Sequence, residues 1–308
     1  MALGKNSVLG IDIGTTSIKV VELIKHGSDV MLNNYVEYHR TRNKKTFPFQ
    51  TDSFSFFEED VASKLIESLE EASIETRVGN FSLPSFSGFF TTFELPRMER
   101  DEIEEAVKYQ SYKYIPLPLQ EVILDWEILE EEPENKNFVR VLLVAIPRDI
   151  IEKHKKVAEF SDINIKTLEI ESFSDIRSLV GEDKSPTVIV NIGDRATNII
   201  VVDQGYLRVS HSLDFAGFHI TKGLSEGLNV SFTRAEELKK EKGVVKELGG
   251  LVSTPVFSII DKIIFGMQKA INAYLSKNPR RQIEKIILSG GTANMPGICD
   301  YFYSKSSI

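Results

Sequence analysis

Two stretches far apart in this chain hold the residues best suited to chemistry. The first is LGIDIGTTSIKVVEL, residues 9–23; the second is VIVNIGDRATNIIVVDQG, residues 188–205. Each reads as an apolar strand, a tight glycine-containing turn, then hydroxyl residues and a second strand. Gly14 and Gly193 keep bulky side chains out of the turns, and Thr15, Thr16, Ser17 and Thr197 stand beside exposed backbone N–H groups. Such turns suit phosphate, because N–H groups and hydroxyls can converge on an anion without obstruction. One hairpin of this kind is a weak signal. Two, each leading one half of the chain, point to a pair of hairpins that close on one nucleotide.

The elements that must position these turns belong to a chain of 308 residues, long enough for two domains with separate cores. Hydrophobic residues make up 42% and charged residues 27%, as in a globular protein of ordinary composition. The net charge of −8 argues against a broad nucleic-acid surface, which needs a basic face, but leaves room for a locally positive nucleotide pocket. A single cysteine, Cys299, excludes an intrachain disulfide and a cysteine-cluster metal site, which fits a reducing compartment. The five histidines, at 26, 39, 154, 211 and 219, show no metal spacing. No signal peptide or membrane-length apolar run is expected, so the location is read as cytoplasmic with membrane contact through a partner.

Along the chain, the first hairpin continues into a third strand at 29–38 and a polar, aromatic connection at 41–57 containing Phe47, Phe49, Phe54, Phe56 and Phe57. That connection is read as a loop tucked over its own core, with an aromatic docking surface as the alternative. An amphipathic helix follows at 58–73 and a strand at 78–83. The texture then changes. Residues 84–161 read as a strand (86–95), a helix with acids at its N-terminal end (101–114), two strands (122–130 and 138–146) joined by an acidic turn, and a helix (150–160). This β-α-β-β-α unit is a module inserted in the first domain. A strand at 163–170 and a helix at 173–180 return to that domain. The second hairpin opens the other domain, followed by a strand (207–213) and helices at 217–228, 231–242 and 252–276. Gly243 is a natural helix stop. The longest helix carries Ile260, Ile263, Ile264, Met267, Ile271, Tyr274 and Leu275 at helical period. A buried strand at 285–288 ends in Ser289-Gly290-Gly291-Thr292-Ala293.

With these residues the chain resembles the actin-like ATPase superfamily. The carrying motifs are Asp12-Ile13-Gly14-Thr15-Thr16, Asn191-Ile192-Gly193 and Gly290-Gly291-Thr292-Ala293, in matching order and spacing. The inserted module, Ile170-Glu171 after it and the helix containing Ala235 to Lys239 resemble the PilM family of type IV pilus assembly more narrowly. The resemblance covers nearly the whole chain. It implies an α/β, actin-like ATPase fold: two domains around a nucleotide cleft, with the small module inserted in the first. The expected divisions are 1–83, 84–161, 162–185, 186–293 with a small subdomain near 214–255, and 294–308 as the start of a C-terminal return. Family members continue past the Gly290-Gly291 turn with a helix, a strand and a final helix, and this chain stops within the first of these.

The resemblance also implies site residues. Asp12 holds nucleotide-bound Mg2+ through water, or else caps the turn as a strand-end acid. Gly14, Thr15 and Thr16 wrap the β- and γ-phosphates with N–H and hydroxyl groups. Lys19 either neutralises phosphate or is an ordinary strand lysine. Gly193 and Thr197 serve phosphate from the second hairpin. Glu236 and Lys239, at i and i+3, reach ribose and base or form a plain surface pair. Gly290, Gly291 and Thr292 line the adenosine. Asn191 departs from the superfamily, which places Asp there to orient Mg2+ and attacking water. The lost charge favours slow hydrolysis or binding without turnover, although Asp194 in the same turn could compensate. Glu169 and Glu171 end a strand near the expected cleft but carry no assigned catalytic role.

Three functions follow. The first is an ATP-binding scaffold that docks the short cytoplasmic tail of a PilN-like inner-membrane protein, with other pilus motor components as further partners and no nucleic acid. Residues 86–114 are then the docking region. The second is a small-molecule kinase of the same superfamily, for which the module supplies no base. The third is an FtsA-like filament former.

Overall fold

The computed structural model describes residues 7–39, 58–129, 137–244, 253–306 and 308. The aromatic connection at 41–57 and most of the acidic turn at 131–136 lie outside them. The chain divides into two compact units, Met1–Glu171 and Ser172–Ile308.

The first unit is built on β1 (Ser7–Ile13), β2 (Ser17–His26), β3 (Asp29–His39), α1 (Glu58–Glu71) and β4 (Val78–Leu83). Alternation fixes the hairpin register: Leu9, Ile11 and Ile13 of β1 and Ile18 and Val20 of β2 all turn to one buried face. Three acids in the first turn of α1, Glu58, Glu59 and Asp60, sit where the helix dipole favours negative charge. The apolar stripe Val61, Ala62, Leu65 and Leu69 then packs onto the sheet.

The inserted region contributes β5 (Phe89–Pro96), α2 (Arg100–Tyr114), β6 (Val122–Ile128), β7 (Phe138–Pro147) and α3 (Arg148–Phe160), and β8 (Asn164–Ile170) closes the unit. The main sheet has the order β3-β2-β1-β4-β8, with β8 parallel to β4. The inserted strands form a separate antiparallel sheet, β5-β7-β6, covered by Ile103 and Val107 of α2. The strand expected at 86–95 begins later, because residues 85–87 form a 3-10 turn. The last helix of the inserted region does not stay with its small sheet. Val157 and Ala158 of α3 are buried in the core of the main sheet with Leu9, Leu65 and Phe81.

The boundary between the units falls at the first residue of α4 (Glu171–Asp175), which widens into a π-helical turn at Ile176–Val180. The helix expected at 173–180 is therefore split in two. β9 (Thr187–Ile192), β10 (Thr197–Asp203), β11 (Tyr206–Leu213), α5 (Gly217–Leu228), α6 (Phe232–Lys242), α7 (Ser253–Lys277), β12 (Lys285–Ser289) and α8 (Ile298–Ser306) complete the second unit. The sheet order is β11-β10-β9-β12. Every residue of β10 is buried, and its centre, residues 199–202, is an unbroken apolar run instead of an alternating one. Ile260, Ile263 and Met267 of α7 pack on Val190, Ile199 and Val201, as the helical period of the sequence requires. Ser231 caps α6 by accepting from the Arg234 N–H at 3.2 Å, and Gly243 ends it at φ +58°.

The two units repeat one topology. In each, a glycine turn joins two antiparallel strands and the first strand pairs in parallel with a later one: β2-β1-β4 in one, β10-β9-β12 in the other.

His154 of α3 is fully buried, with Nδ1 2.8 Å from the Ile150 carbonyl. Burial holds its pKa below the ordinary 6.5, although the hydrogen bond to Ile150 opposes this. Below pH 6.5 the unfolded chain takes up a proton that the folded chain refuses, so stability falls as pH drops toward the folded value. Urea unfolding at pH 7.5 and 5.5 is expected to show a smaller acid loss for His154→Leu than for the native chain. Equal losses would assign the acid slope to other groups.

Candidate functional site

The β1–β2 turn occupies residues 14–17, bounded by the pair Ile13↔Ile18. The β9–β10 turn occupies 193–196, bounded by Ile192↔Thr197. Both start with glycine, and both close the same way: Gly14 N–H donates to the Ser17 carbonyl at 2.9 Å, and Gly193 N–H to the Ala196 carbonyl at 3.0 Å. A Cβ would meet those carbonyls at 3.2 and 3.0 Å, which explains the glycine in each turn. The N–H groups of Gly14 and Gly193 are thus used inside the turns and are not presented to an anion. Each glycine's part is to clear space.

Register aligns the turns residue by residue and corrects one expectation. Thr197 is the counterpart of Ile18, not of the hydroxyls at 15–17. It is fully buried, and its hydroxyl donates to the Phe215 carbonyl at 2.6 Å. Thr197 therefore braces the strand, with its hydroxyl engaged by the Phe215 carbonyl. The positions matching Thr15 and Thr16 are Asp194 and Arg195. The Arg195 guanidinium lies 3.9 Å from the centre of the Phe218 ring. The first turn is different in character. Among the described residues the Thr15 and Thr16 hydroxyls have no hydrogen-bond partner, and they border a depression shared with Tyr38, Asp60 and Lys64.

Asp12 lies one step before the first turn. Its Oδ1 accepts from the Ser82 hydroxyl at 2.9 Å, and its Oδ2 lies 3.2 Å from the Lys19 ammonium. Lys19 is its direct cross-strand partner, so the first role of this lysine is to pair Asp12. Both groups are about half exposed, so the pair contributes no more than about 1 kcal/mol and is easily exchanged for another ligand. Asn191 is the counterpart of Asp12. As Ser82 faces Asp12 from the parallel strand, so Ser289 faces Asn191. Asn191 instead donates through Nδ2 to Asp175 at 2.9 Å.

The second turn is held by two other segments. The first N–H groups of α5, which lack helical acceptors, donate outward: Gly217 to the Gly193 carbonyl at 3.1 Å and Phe218 to the Asp194 carbonyl at 2.8 Å. The Thr292 hydroxyl, almost fully buried, donates to the same Gly193 carbonyl at 3.1 Å. Gly217, Thr292 and Gly193 are so close that a Cβ at 217 would lie 2.5 Å from Thr292 Oγ1. Gly290, at φ +85°, places its backbone beside Asn191, where a Cβ would be 2.6 Å from Oδ1. Around Gly291 a Cβ would meet nothing.

Glu236 and Lys239 do form a pair, at 2.7 Å, but not a surface one. The Lys239 ammonium is nearly enclosed and directs its three donors at Glu236, the Thr221 hydroxyl (3.0 Å) and the Gly217 carbonyl (3.4 Å). The Thr221 hydroxyl lies 2.5 Å from Glu236 Oε2. Burial opposes ionisation of Glu236, yet the bonds from Lys239 and Thr221 outweigh it and hold the carboxyl below its ordinary pKa. The pair thus ties α6 to the first turn of α5, and through it to the hairpin. Sequence reasoning missed Ser82, Asp175, Gly217 and Thr221, which lie outside the three motifs. The equal placing of Ser82 and Ser289 one strand away from Asp12 and Asn191 is the signal that could have found the first.

Two glycine hairpins at equivalent places in two units that share a topology define an actin-like ATPase fold. A family model described as Type IV pilus assembly protein PilM matches residues 10–308, and the chain belongs to that family. It is similar to the cell division protein FtsA of Streptococcus pneumoniae serotype 2 (strain D39 / NCTC 7466), at 22% identity over 94% of this chain and 72% of that protein. FtsA of Enterococcus faecalis (strain ATCC 700802 / V583) is 23% identical, over 95% and 75%. Among solved structures, a PilM-PilN type IV pilus biogenesis complex superposes with a TM-score of 0.81 at 19% identity, over 98% of this chain and 86% of that one. The ethanolamine utilization protein EutJ of Carboxydothermus hydrogenoformans gives 0.58 at 16%, over 98% and 82%.

Replacing Gly290 with Ala is expected to destabilise the chain by about 1–3 kcal/mol, the usual range for a side chain forced into a left-handed conformation. The added Cβ would also lie 2.5 Å from the Ile192 carbonyl. Chemical denaturation measures this, and a loss below about 0.5 kcal/mol, the level of an ordinary surface change, would contradict the assigned crowding.

Proposed function

We propose that this protein binds ATP with Mg2+ and acts as an actin-like scaffold at the inner face of the membrane, with slow or no hydrolysis. It docks there on the short cytoplasmic tail of a PilN-like inner-membrane protein. The observation that carries the nucleotide half is the matched pair of turns, one with threonine hydroxyls beside Asp12 that have no partner among the described residues, the other braced against Gly290 and α5. Among the described residues Asp12 is held by Ser82 and a weak lysine pair, so it can turn to a hydrated cation without leaving a buried charge. Among the described residues no group of three His, Cys, Asp or Glu side chains can hold a metal. Mg2+ therefore fits as a companion of the nucleotide's phosphates, with Asp12 meeting its water shell. Asn191 in place of an acid supports the weak or absent turnover.

The docking half rests on the likeness to the PilM-PilN complex and on the face of α2. Tyr109 and Tyr112 are 70% and 65% exposed there, beside the exposed acids Asp101, Glu102, Glu104 and Glu105. That face suits a tail with basic and apolar residues. Among the described residues no helix is long and apolar enough to cross a membrane, so membrane contact is assigned to the partner.

Gly291 separates ligand contact from folding, since a Cβ there would meet no atom of the described residues within 4 Å. Gly291→Val is expected to melt like the native chain yet bind ATP at least about tenfold more weakly by calorimetry, a loss of about 1.4 kcal/mol. Unchanged ATP affinity in the variant would remove the adenosine wall from this turn. In the same titrations a PilN-type tail peptide is expected to bind more tightly with Mg-ATP present; indifference to nucleotide would contradict the coupling.

A further inference from the structure

The second hairpin has lost its acid at position 191, but an acid stands directly beside that position. Asn191 Nδ2 donates to Asp175 Oδ2 at 2.9 Å. This bond fixes the orientation of the amide, so Oδ1 faces the Gly290 backbone. An aspartate at 191 would bring two carboxylate oxygens to about the same separation, and like charges that close cannot both stay ionised. Asp175 and an acid at 191 therefore exclude each other, and asparagine is the residue that accommodates Asp175. Asp175 ends α4 where the chain widens into the π-helical turn Ile176–Val180. Such local widening is often retained where a side chain must be aimed. A carboxyl group thus stands beside the second hairpin on the helix instead of on the strand.

We propose that Asp175 is a positioning residue for nucleotide-bound Mg2+: acting through Asn191, it supplies the negative charge that the second hairpin lacks. This rests on the ATP reading above. Asp175 orients the asparagine amide so that Oδ1 lies on the side of the Gly290 turn, which the ATP reading assigns to the nucleotide, and it polarises that amide. An Asn–Asp pair of this kind holds water around a cation more weakly than a carboxylate in its place, in keeping with slow turnover.

The test is calorimetry of ATP binding, with Mg2+ and with EDTA, on the full chain and three variants: Asp175→Asn, Asn191→Asp and the exchange carrying both. Asp175→Asn is expected to weaken Mg-ATP binding by about 10- to 100-fold, the range for groups that orient metal ligands. Its affinity for metal-free ATP should hold or improve, because a negative charge near the phosphates has gone. The exchange, which restores one acid and one amide in reversed order, is expected to recover the Mg2+ dependence. Asn191→Asp alone is expected to melt at lower temperature, more so at pH 8 than at pH 5, because its two acids must share a proton.

An Asp175→Asn protein with native Mg2+ dependence would overturn the proposal and make the pair a structural brace. So would an exchange variant that folds but does not recover Mg2+ dependence, and this arm decides if Asp175→Asn alone fails to fold. A native chain that binds no ATP at all would overturn the ATP reading itself, and this proposal with it.

Discussion

The carbonyl oxygen of Gly193 accepts two hydrogen bonds at 3.1 Å, from Gly217 N–H and from the Thr292 hydroxyl, and the arrangement of the second unit depends on it. Through this one atom the β9–β10 turn, the first turn of α5 and the turn after β12 meet. Both lone pairs are in use, so removing either donor leaves a crowded acceptor under-satisfied. Each bond contributes only about 1 kcal/mol net. Burying one apolar side chain of α7, such as Ile260 or Met267, contributes about 1.5–3 kcal/mol. Stability therefore comes from the core beneath the sheet, and the carbonyl decides which backbones touch above it. Glycine at 217 follows from that contact, and glycine at 290 from the approach of the Ile192 carbonyl and Asn191 Oδ1.

The same constraint makes the two hairpins unequal partners. The first turn is loosely tethered: among the described residues its threonine hydroxyls have no partner, and its acid is held by one serine and an exposed lysine. The second is braced on two sides and carries an amide that is already committed to Asp175. The first turn can therefore rearrange at little cost, while the second is fixed by the contacts around it.

Much of this was legible in the sequence where local rules decide. The period-2 alternation around Gly14, the helical stripe of α7 and the glycines at 14, 193, 290 and 291 gave the hairpins, the main helix and the turns with small errors at their ends. What failed was what depends on register or on distant contact. Thr197 looked like a phosphate hydroxyl from its distance to Gly193, but pairing places it at the buried position of Ile18. Gly14 reads as part of an N–H cradle for phosphate, yet its own N–H donates to the Ser17 carbonyl inside the turn. Lys239 reads as a surface lysine in any helical wheel; only the approach of Thr221 and Gly217 encloses it. Glu236 keeps its charge for the same reason. The partner of Asn191 was illegible because Asp175 lies on a helix that periodicity alone treats as one continuous segment.

Hydrogen–deuterium exchange of the full chain, with and without Mg-ATP, tests most directly whether both hairpins serve one nucleotide. Slower exchange is expected together in peptides covering residues 14–17, 193–197 and 290–294, with the α7 core unchanged. Protection at only one hairpin, or none at 290–294 despite saturating nucleotide, would contradict the account.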